Sequence, residues 1–582
     1  MPSESRLWKS RKAKPASQLF HSLDYYDFLT GYGIRILRAR SIAASDSYLF
    51  GYNNRVGFLL LVGFATLGAF WWKRFPWDTP AAGESSNIPR RTLWICLAVA
   101  LSACILIYYL TARLGHFGES TYLINRCEEA DRGLRPYLDF EFAYGASFLY
   151  FPVLLGRMIH LTVPNGYYLF WTVSVLAGIW MLYCVINWID YPSKYKREIF
   201  LLIYLFMLPA ILTTGLNYTG VRFLAVPLCA LIVFDTIRDG TFGKLIAGSF
   251  LAAVFLPLLL LISPEMGVAF GIGISFAIIL FSLRMRGKLR LVPWLGMVAI
   301  IAATIFAADR VGVFVTMKSV ASTAFNFPIV PSPHILMLFA TLFIAACYVA
   351  EKLVMGDFRS NAFFVVAVSL PSLAGAMGRC DPGHVLFNVL GLFLVVMLRV
   401  SNNPIAWNRY RFAFIVIFIV FGWASTLVLY SGEIARAANS LANGLTAPNA
   451  ASNTVVLPPL LKGVARDTFS YSVGHNPSGL DGGYYFGLVN ALEPNAVRLK
   501  IEELDQHPNE ELLLPGDFEV RCHTDPELSR LLISVLFAYP LRRKAVHTDN
   551  VYAPLCDAIH RNYYLRVPPS PESFGYGIWA RR

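Results

Sequence analysis

The sequence predicts an α-helical polytopic membrane protein of about 11 or 12 spanning helices with a soluble C-terminal α/β domain. Of its 582 residues, 56% are hydrophobic and 15% are charged, and the mean hydropathy is +0.52. These values are too apolar for a soluble protein of this length. The apolar runs stop near residue 430, and polar and apolar residues mix from there to the end.

Three parts follow from this pattern. Residues 1–55 form a basic segment without the apolar core and cleavage site of a signal peptide, so we expect it to be retained. Residues 56–430 form the transmembrane domain, and residues 431–582 form the soluble domain. Cys522 and Cys556 are the only cysteines of the soluble domain, which leaves open a disulfide or two free thiols.

The candidate spans are runs that approach the 17 to 25 or so mainly apolar residues a spanning helix needs. They are 93–112, 167–189, 199–213, 221–237, 245–262, 267–283, 291–308, 335–350, 362–376, 385–398 and 412–430. The shorter segment 148–160 is expected to lie along the membrane surface. A crossing there would invert every later connection.

The distribution of Lys and Arg predicts orientation, because cytoplasmic connections are enriched in both. With residues 118–152 outside, the inside connections carry Lys73, Arg74, Arg90, Arg91, Lys194, Lys196, Arg197, Arg238, Lys244, Arg284, Arg286, Lys288, Arg290, Lys352, Arg359, Arg399, Arg409 and Arg411. The soluble domain, with 14 basic and 16 acidic residues, lies outside. The net charge of +13 therefore indicates topology and contact with the lipid bilayer, not a nucleic acid partner.

The segment 56–72 does not fit this scheme simply. A crossing there would place the basic N-terminal segment outside, against the rule for Lys and Arg. Two interpretations stay open: a half-buried hairpin or interfacial helix, or a crossing that breaks the rule.

Rare charged residues collect in the outer connections. The first external loop, 113–165, holds six acids within 23 positions, and charge beside a membrane is costly unless it faces water or does chemistry. Other outer connections add Arg222, Glu265, Arg379, Asp381 and His384. A carboxylate can serve as general base toward a hydroxyl, and Arg or His can stabilise a leaving phosphate. The combination predicts a phosphorylated substrate.

Simpler explanations compete for several of these residues. Glu128, Glu129 and Asp131 are expected to form a solvated helix face. Glu265 is equally explained as an acid in the first turn of a helix. Asp381 and His384 are only two ligands, which do not make a metal site, so a divalent cation is left open. The sequon at Asn217 lies at a membrane edge and is discounted as a glycosylation site.

The first external loop resembles that of the GT-C superfamily of membrane glycosyltransferases. The residues that carry the resemblance are GESTY, which contains Glu119 and Tyr122, and GLRPYLD, which contains Tyr137 and Asp139. A surface-lying helix follows, as in that family. The family often has Asp where this chain has Glu119. The likeness extends to the protein O-mannosyltransferase, aminoarabinose transferase and arabinofuranosyltransferase types.

This resemblance implies an inverting transfer of sugar from a polyprenyl-phosphate donor to a glycan, lipid or protein acceptor. Glu119 or Asp139 would be the base, and Arg222, Arg379 and His384 would compensate the phosphate charge. Tyr122, Tyr137, Glu141, Glu265 and Asp381 complete the implied substrate-binding set. The active site and the C-terminal domain would lie on the extracytoplasmic side of the inner or plasma membrane.

Three other functions compete with this one. An O-antigen ligase or polymerase type of glycan transferase would need its functional loop late in the chain. A lipid or glycan transporter would favour charges midway in spans and internal repeats. A non-catalytic assembly protein would use its C-terminal domain as a binding module.

Overall fold

The computed structural model describes most of the membrane part and pieces of the C-terminal part. The described residues are 54–72, 87–114, 119–137, 142, 144–283, 291–310, 313, 333–355, 358–379, 382–429, 434, 438, 468–470, 501, 511–515, 553–569 and 576–582. Asp139, Glu141, Asp381 and Cys522 lie outside them, as does the side chain of Arg379.

Helices dominate the described residues. In chain order they are α1 Asn54–Trp71, α2 Arg90–Leu114, α3 Ser120–Asp131, α4 Ser147–Met158, α5 Val163–Trp188, α6 Lys196–Met207, α7 Gly220–Ile237, α8 Phe242–Ile262, α9 Pro264–Ser282, α10 Val292–Arg310, α11 Pro333–Met355, α12 Asn361–Ser369, α13 Leu373–Arg379, α14 Pro382–Asn388, α15 Leu390–Val400, α16 Pro404–Phe414, α17 Phe421–Leu429 and α18 Ala553–Asn562. The 3₁₀ helices Leu208–Thr213 and Leu216–Tyr218 separate α6 from α7, and the π-helix Ile415–Val420 joins α16 to α17.

Eight of the described helices are long and apolar enough to cross a membrane. They are α2, α5, α7, α8, α9, α10, α11 and the continuous helix that begins with α16. The pair α14 and α15, bent by 77°, would make a ninth. The polytopic class is therefore confirmed. The described residues contain eight or nine spanning helices, fewer than the predicted 11 or 12, because the runs 199–213, 362–376 and 385–398 are each interrupted.

Proline explains two of these interruptions. Pro209 has no N–H to bond to the carbonyl of Leu205, so α6 stops at Met207, and Trp423 Nε1 donates to that carbonyl at 2.8 Å instead. Pro371 likewise frees the carbonyl of Ala367, against which Gly273 packs so closely that a Cβ there would lie 2.3 Å from the oxygen. A freed carbonyl inside a membrane domain needs a donor, and Trp423 is that donor for Leu205.

Two ends of the helix bundle matter for function. The loop end is where residues 119–137, 142, 144–146, 208–219, 263–265 and 382–384 meet. The basic end is the opposite end, where residues 188–198, 351–355, 358–361 and 399–411 meet. At the basic end, Asn361 bonds the backbone of Trp188 and Asp190, and Arg399 bonds Tyr191. The connections predicted to share one side thus meet at one end.

Helix α1 packs lengthwise against α11. Phe64 stacks on Phe339 at 5.2 Å, and Gly68 lies against Phe343 one turn further along both helices. The two helices therefore run parallel, from the loop end toward the basic end. Packing along α11 does not fit an interfacial helix. The apolar stretch Leu59–Trp71 is shorter than the eight spanning helices, so the packing fits a half-buried hairpin as well as a crossing.

Helix α4 is too short to cross, as predicted for residues 148–160. Its 12 residues extend about 18 Å at a 1.5 Å rise, against a bilayer core of about 30 Å. Pro152 frees the carbonyl of Phe148, to which the Cys127 thiol of α3 donates at 3.7 Å. Gly166 at the start of α5 approaches the carbonyl of Pro152. These contacts hold α3 and α4 over the start of α5.

The C-terminal part contains both helix and strand, in line with the α/β prediction. Four strands, β1 Thr468–Ser470, β2 Glu511–Pro515, β3 Tyr563–Val567 and β4 Tyr576–Arg581, form a sheet in the order β1-β2-β4-β3. The pair β1 and β2 is parallel, and β4 runs antiparallel to β2 and β3. Cys556 in α18 is disulfide-bonded, and its predicted partner Cys522 lies outside the described residues.

Candidate functional site at the loop end

Glu119 stands immediately before α3, with its backbone tied to the 3₁₀ helices. Its N–H donates to Thr213 O at 2.9 Å, and its own carbonyl accepts from Leu123 in the first turn of α3. The next residue, Ser120, accepts from Tyr168 Oη at 3.2 Å. The carboxylate oxygen Oε2 is buried, and no described residue donates a hydrogen bond to it. Glu119 is thus held in place by its backbone while its side chain keeps an acceptor available.

A tight turn links the two 3₁₀ helices next to Glu119. Thr214 adopts a left-handed conformation with φ 50°, which is uncommon for a residue that carries a Cβ. The fully buried Tyr167 stabilises the turn: its hydroxyl donates to Thr214 O at 2.6 Å and accepts from Leu216 N at 3.3 Å. One phenol therefore holds both sides of the turn.

Asn217 follows this turn and is 1% exposed. Its Nδ2 donates to Tyr144 Oη at 2.9 Å, and its backbone oxygen accepts from Arg222 at 3.1 Å. Its Oδ1 is buried and accepts no hydrogen bond from the residues that the structure describes. We call Glu119 Oε2 and Asn217 Oδ1 the open acceptors.

Gly215 contacts the side chains of both Glu119 and Asn217. A Cβ on Gly215 would be 2.4 Å from Asn217 Oδ1 and 2.9 Å from Glu119 Cβ. Both distances are shorter than van der Waals contact, so only glycine fits. The absence of a side chain at this position is what allows the amide oxygen and the acidic side chain to be neighbours.

Arg222, in the first turn of α7, is 6% exposed and already has several partners. Its guanidinium forms an ion pair with Glu265, bonds Ser263 Oγ at 3.3 Å and lies 5.1 Å from the centre of the Tyr144 ring. Glu265 lies in the first turn of α9, and its carboxylate forms this ion pair. Arg222 therefore fixes the position of the Asn217 turn relative to α9.

An aromatic cluster covers this turn from the first external loop. The ring of Phe142 packs against Tyr122 at 6.3 Å, Tyr137 at 6.3 Å and Tyr144 at 5.7 Å. Tyr137 Oη donates to Tyr144 O at 2.7 Å, and burial raises the pKa of its phenol. Tyr122 and Tyr137 thus support Tyr144, which contacts both Asn217 and Arg222.

His384 approaches the same turn from α14. Its ring meets that of Tyr218 edge-on at 5.8 Å, and one turn later Phe387 stacks on Phe223 of α7 at 5.1 Å. Asn388, at the bend between α14 and α15, donates to His384 O at 2.9 Å. The structure therefore brings Glu119, Arg222, Glu265 and His384 to one end of the bundle through the residues 213–218.

Two further acids of the first external loop, Glu129 and Asp131, have structural partners. Glu129 pairs with Arg126 at 2.7 Å within α3, and Asp131 pairs with Arg157 of α4 at 2.8 Å. Glu128 is partly buried, and desolvation raises the pKa of its carboxyl. The prediction of a solvated helix face therefore holds in part, because the pair of Asp131 with Arg157 is exposed, whereas Glu128 and Glu129 are half-buried.

Sequence reasoning missed four residues of this site: Tyr144, Tyr167, Gly215 and Asn217. In the sequence Asn217 is recognisable only as the first residue of a glycosylation sequon. Its burial next to Glu119 depends on the fold and could not be predicted from the sequence. Within the described part of the chain, no group of three or more His, Cys, Asp or Glu side chains could hold a metal ion. No family model, curated protein or solved structure matches this chain.

Proposed function

We propose that this protein is a GT-C-type membrane glycosyltransferase that moves a sugar from a polyprenyl-phosphate donor to a hydroxyl of an extracytoplasmic glycan, lipid or protein. The observation that supports it best is Glu119 Oε2, a buried carboxylate oxygen to which no described residue donates. A general base needs a free acceptor within hydrogen-bond reach of the proton that it takes. Glu119 also stands in the motif that resembles the family.

The reaction would be a single displacement. Glu119 takes the proton of the acceptor hydroxyl while the oxygen of that hydroxyl bonds to the anomeric carbon. The bond from the anomeric carbon to the phosphate oxygen breaks at the same time. The configuration inverts, and the polyprenyl phosphate leaves with the bonding electrons. Asp139 is the alternative base, as the sequence left open.

The leaving phosphate needs positive charge nearby. Arg222 is paired with Glu265, so its contribution is to hold the turn at Asn217. His384 in the first turn of α14 and Arg379 at the end of α13 are the proposed phosphate contacts.

The lipid part of the donor would lie in an apolar groove between α2 and α5. The groove has a volume of about 590 Å³ and is lined by Trp94, Leu97, Ala98, Leu101, Val173, Leu176, Ala177 and Trp180. All eight side chains are apolar or aromatic, which suits a hydrocarbon chain. The same two helices lead to α3 and to the turn at the loop end.

The test is transfer by the purified full-length protein. It is incubated with a panel of polyprenyl-phosphate sugars and methyl glycoside acceptors, and released carrier and glycosylated product are quantified. Glu119→Gln should lower the rate about 10²- to 10⁴-fold if Glu119 is the base, and Asp139→Asn should do so if Asp139 is. Glu129→Gln, on the same helix, is the matched control and should transfer like the wild type. Full activity in both Glu119→Gln and Asp139→Asn would exclude the proposed base.

Transport of a lipid-linked glycan is a second candidate, favoured by the broken helices. The bend of 77° between α14 and α15 and the break between α12 and α13 resemble the discontinuous helices of transporters. Movement of a fluorescent polyprenyl-phosphate sugar across liposomes containing the protein, without release of carrier, would support transport over transfer.

A further inference from the structure

The side chain of Asn217 has one polar atom whose use the fold does not explain. Its amide nitrogen is bonded to Tyr144, and its backbone oxygen is bonded to Arg222. Because Nδ2 is directed at Tyr144, Oδ1 points away from that partner. Leaving a buried acceptor without a donor destabilises a protein, so each such atom in a folded chain calls for a functional explanation.

The location of this atom beside Glu119 gives that explanation. Asn217 Oδ1 and the Cβ of Glu119 both lie within 3 Å of the point that a Cβ on Gly215 would occupy, so any larger residue at Gly215 would displace one of the two side chains. A ligand that satisfies both must present two hydrogen-bond donors a short distance apart. Neighbouring hydroxyl groups on a sugar ring provide this arrangement.

Other ligand classes suit the pair less well. A phosphate carries negative charge and accepts hydrogen bonds, so a carboxylate and an amide oxygen would repel it. A hard cation takes about six to eight oxygen ligands, and these two side chains supply two. A neutral polyol satisfies both acceptors without either difficulty.

We propose that Asn217 contacts the acceptor sugar and selects for a hydroxyl adjacent to the one that is glycosylated. This inference rests on the proposed function. The reacting hydroxyl gives its proton to Glu119 as its oxygen attacks the anomeric carbon. The adjacent hydroxyl donates to Asn217 Oδ1, keeps its proton and orients the sugar ring.

The experiment compares acceptors that differ by one hydroxyl. The methyl glycoside that the wild type uses best and each of its monodeoxy derivatives are assayed with the wild type, Asn217→Ala and Asn217→Asp. For one derivative we expect the wild type to lose roughly 10-fold in kcat/KM relative to the parent sugar. Asn217→Ala should lose a similar factor on the parent sugar and nothing further on that derivative.

Conservative and distant substitutions separate recognition from folding. Asn217→Asp keeps an acceptor oxygen and should restore the preference for the parent sugar. Asn408→Ala removes an exposed Asn at the basic end, where Oδ1 accepts from Arg411, and should leave every ratio unchanged. Melting temperatures of all variants show whether a change in rate comes from loss of folding.

The outcomes are distinguishable. If the wild type transfers sugar and Asn217→Ala loses the same factor on the parent sugar and on every derivative, Asn217 does not recognise a hydroxyl and the inference fails alone. If the wild type transfers no sugar from any donor, the proposed function is wrong, and the inference about Asn217 is wrong as well because it rests on that function.

Discussion

Both ends of the helix bundle hold a buried Arg paired with a Glu, and they differ in the side-chain acceptors beside that pair. At the basic end, Arg399 is 4% exposed and pairs with Glu351, and Arg411 pairs with Glu198 at 2.6 Å. Buried Lys196 donates to Ile189 O at 3.2 Å, and its pKa is lowered by burial. At the loop end, Glu119 and Asn217 each leave a buried acceptor open.

This difference indicates what each end is for. Paired charges fix one arrangement of helices, because breaking a buried pair leaves a charge without a partner. Open acceptors do not add stability and are useful only if something else donates to them. We therefore interpret the basic end as a structural lock, meaning that its ion pairs fix the arrangement of the helices. We interpret the loop end as the proposed binding site. Three substitutions test whether the two ends differ in this way.

The largest effect on stability is expected from Glu351→Ala at the basic end. It removes the carboxylate that pairs with the buried Arg399, which should cost about 3–5 kcal/mol of unfolding free energy. The measurement is thermal unfolding of the detergent-purified protein. Asp239→Ala is the control, because its pair with Lys244 is exposed to solvent and should contribute little to stability. Equal effects of the two substitutions would contradict a structural lock at the basic end.

An intermediate effect is expected from Tyr167→Phe at the loop end. The substitution removes both hydrogen bonds that hold the turn at Thr214, so we expect a loss of about 1–3 kcal/mol. Transfer should fall as well, because Glu119 and Asn217 are attached to that turn. Tyr183→Phe, which removes one bond of 3.3 Å to Ile88 O near the basic end, should leave transfer unchanged. Normal transfer by Tyr167→Phe would mean that the turn does not position the site.

The smallest effect on stability is expected from Glu119→Gln, although it should have the largest effect on transfer. The side chain keeps its size, and Oε2 has no hydrogen bond to lose among the described residues, so the melting temperature should stay close to that of the wild type. A loss as large as that of Glu351→Ala would show that the carboxylate is structural. The loop end would then be no different from the basic end.

The membrane class and most helix positions were predictable from the sequence. Apolar runs such as 93–112, 221–237 and 245–262 coincide with α2, α7 and α8, because hydrophobic content along a segment decides whether it can lie in a bilayer. The predictions failed at Pro209 and Pro371 because a carbonyl freed by proline needs a partner from another helix. For the carbonyl of Leu205 that partner is Trp423, which could not be assigned this role from local sequence.

For the candidate site, the sequence by itself identified Glu119, Arg222, Glu265 and His384 as charged residues beside apolar runs. The three-dimensional contacts show that Arg222 forms an ion pair with Glu265, and that Asn217 and Glu119 both contact Gly215. The reason is physical: composition and periodicity are properties of neighbouring residues, whereas the pairing of a buried charge depends on distances between connections that are far apart in the chain. Glu351 at the basic end is paired with a buried Arg, whereas Glu119 at the loop end keeps an acceptor to which no described residue donates.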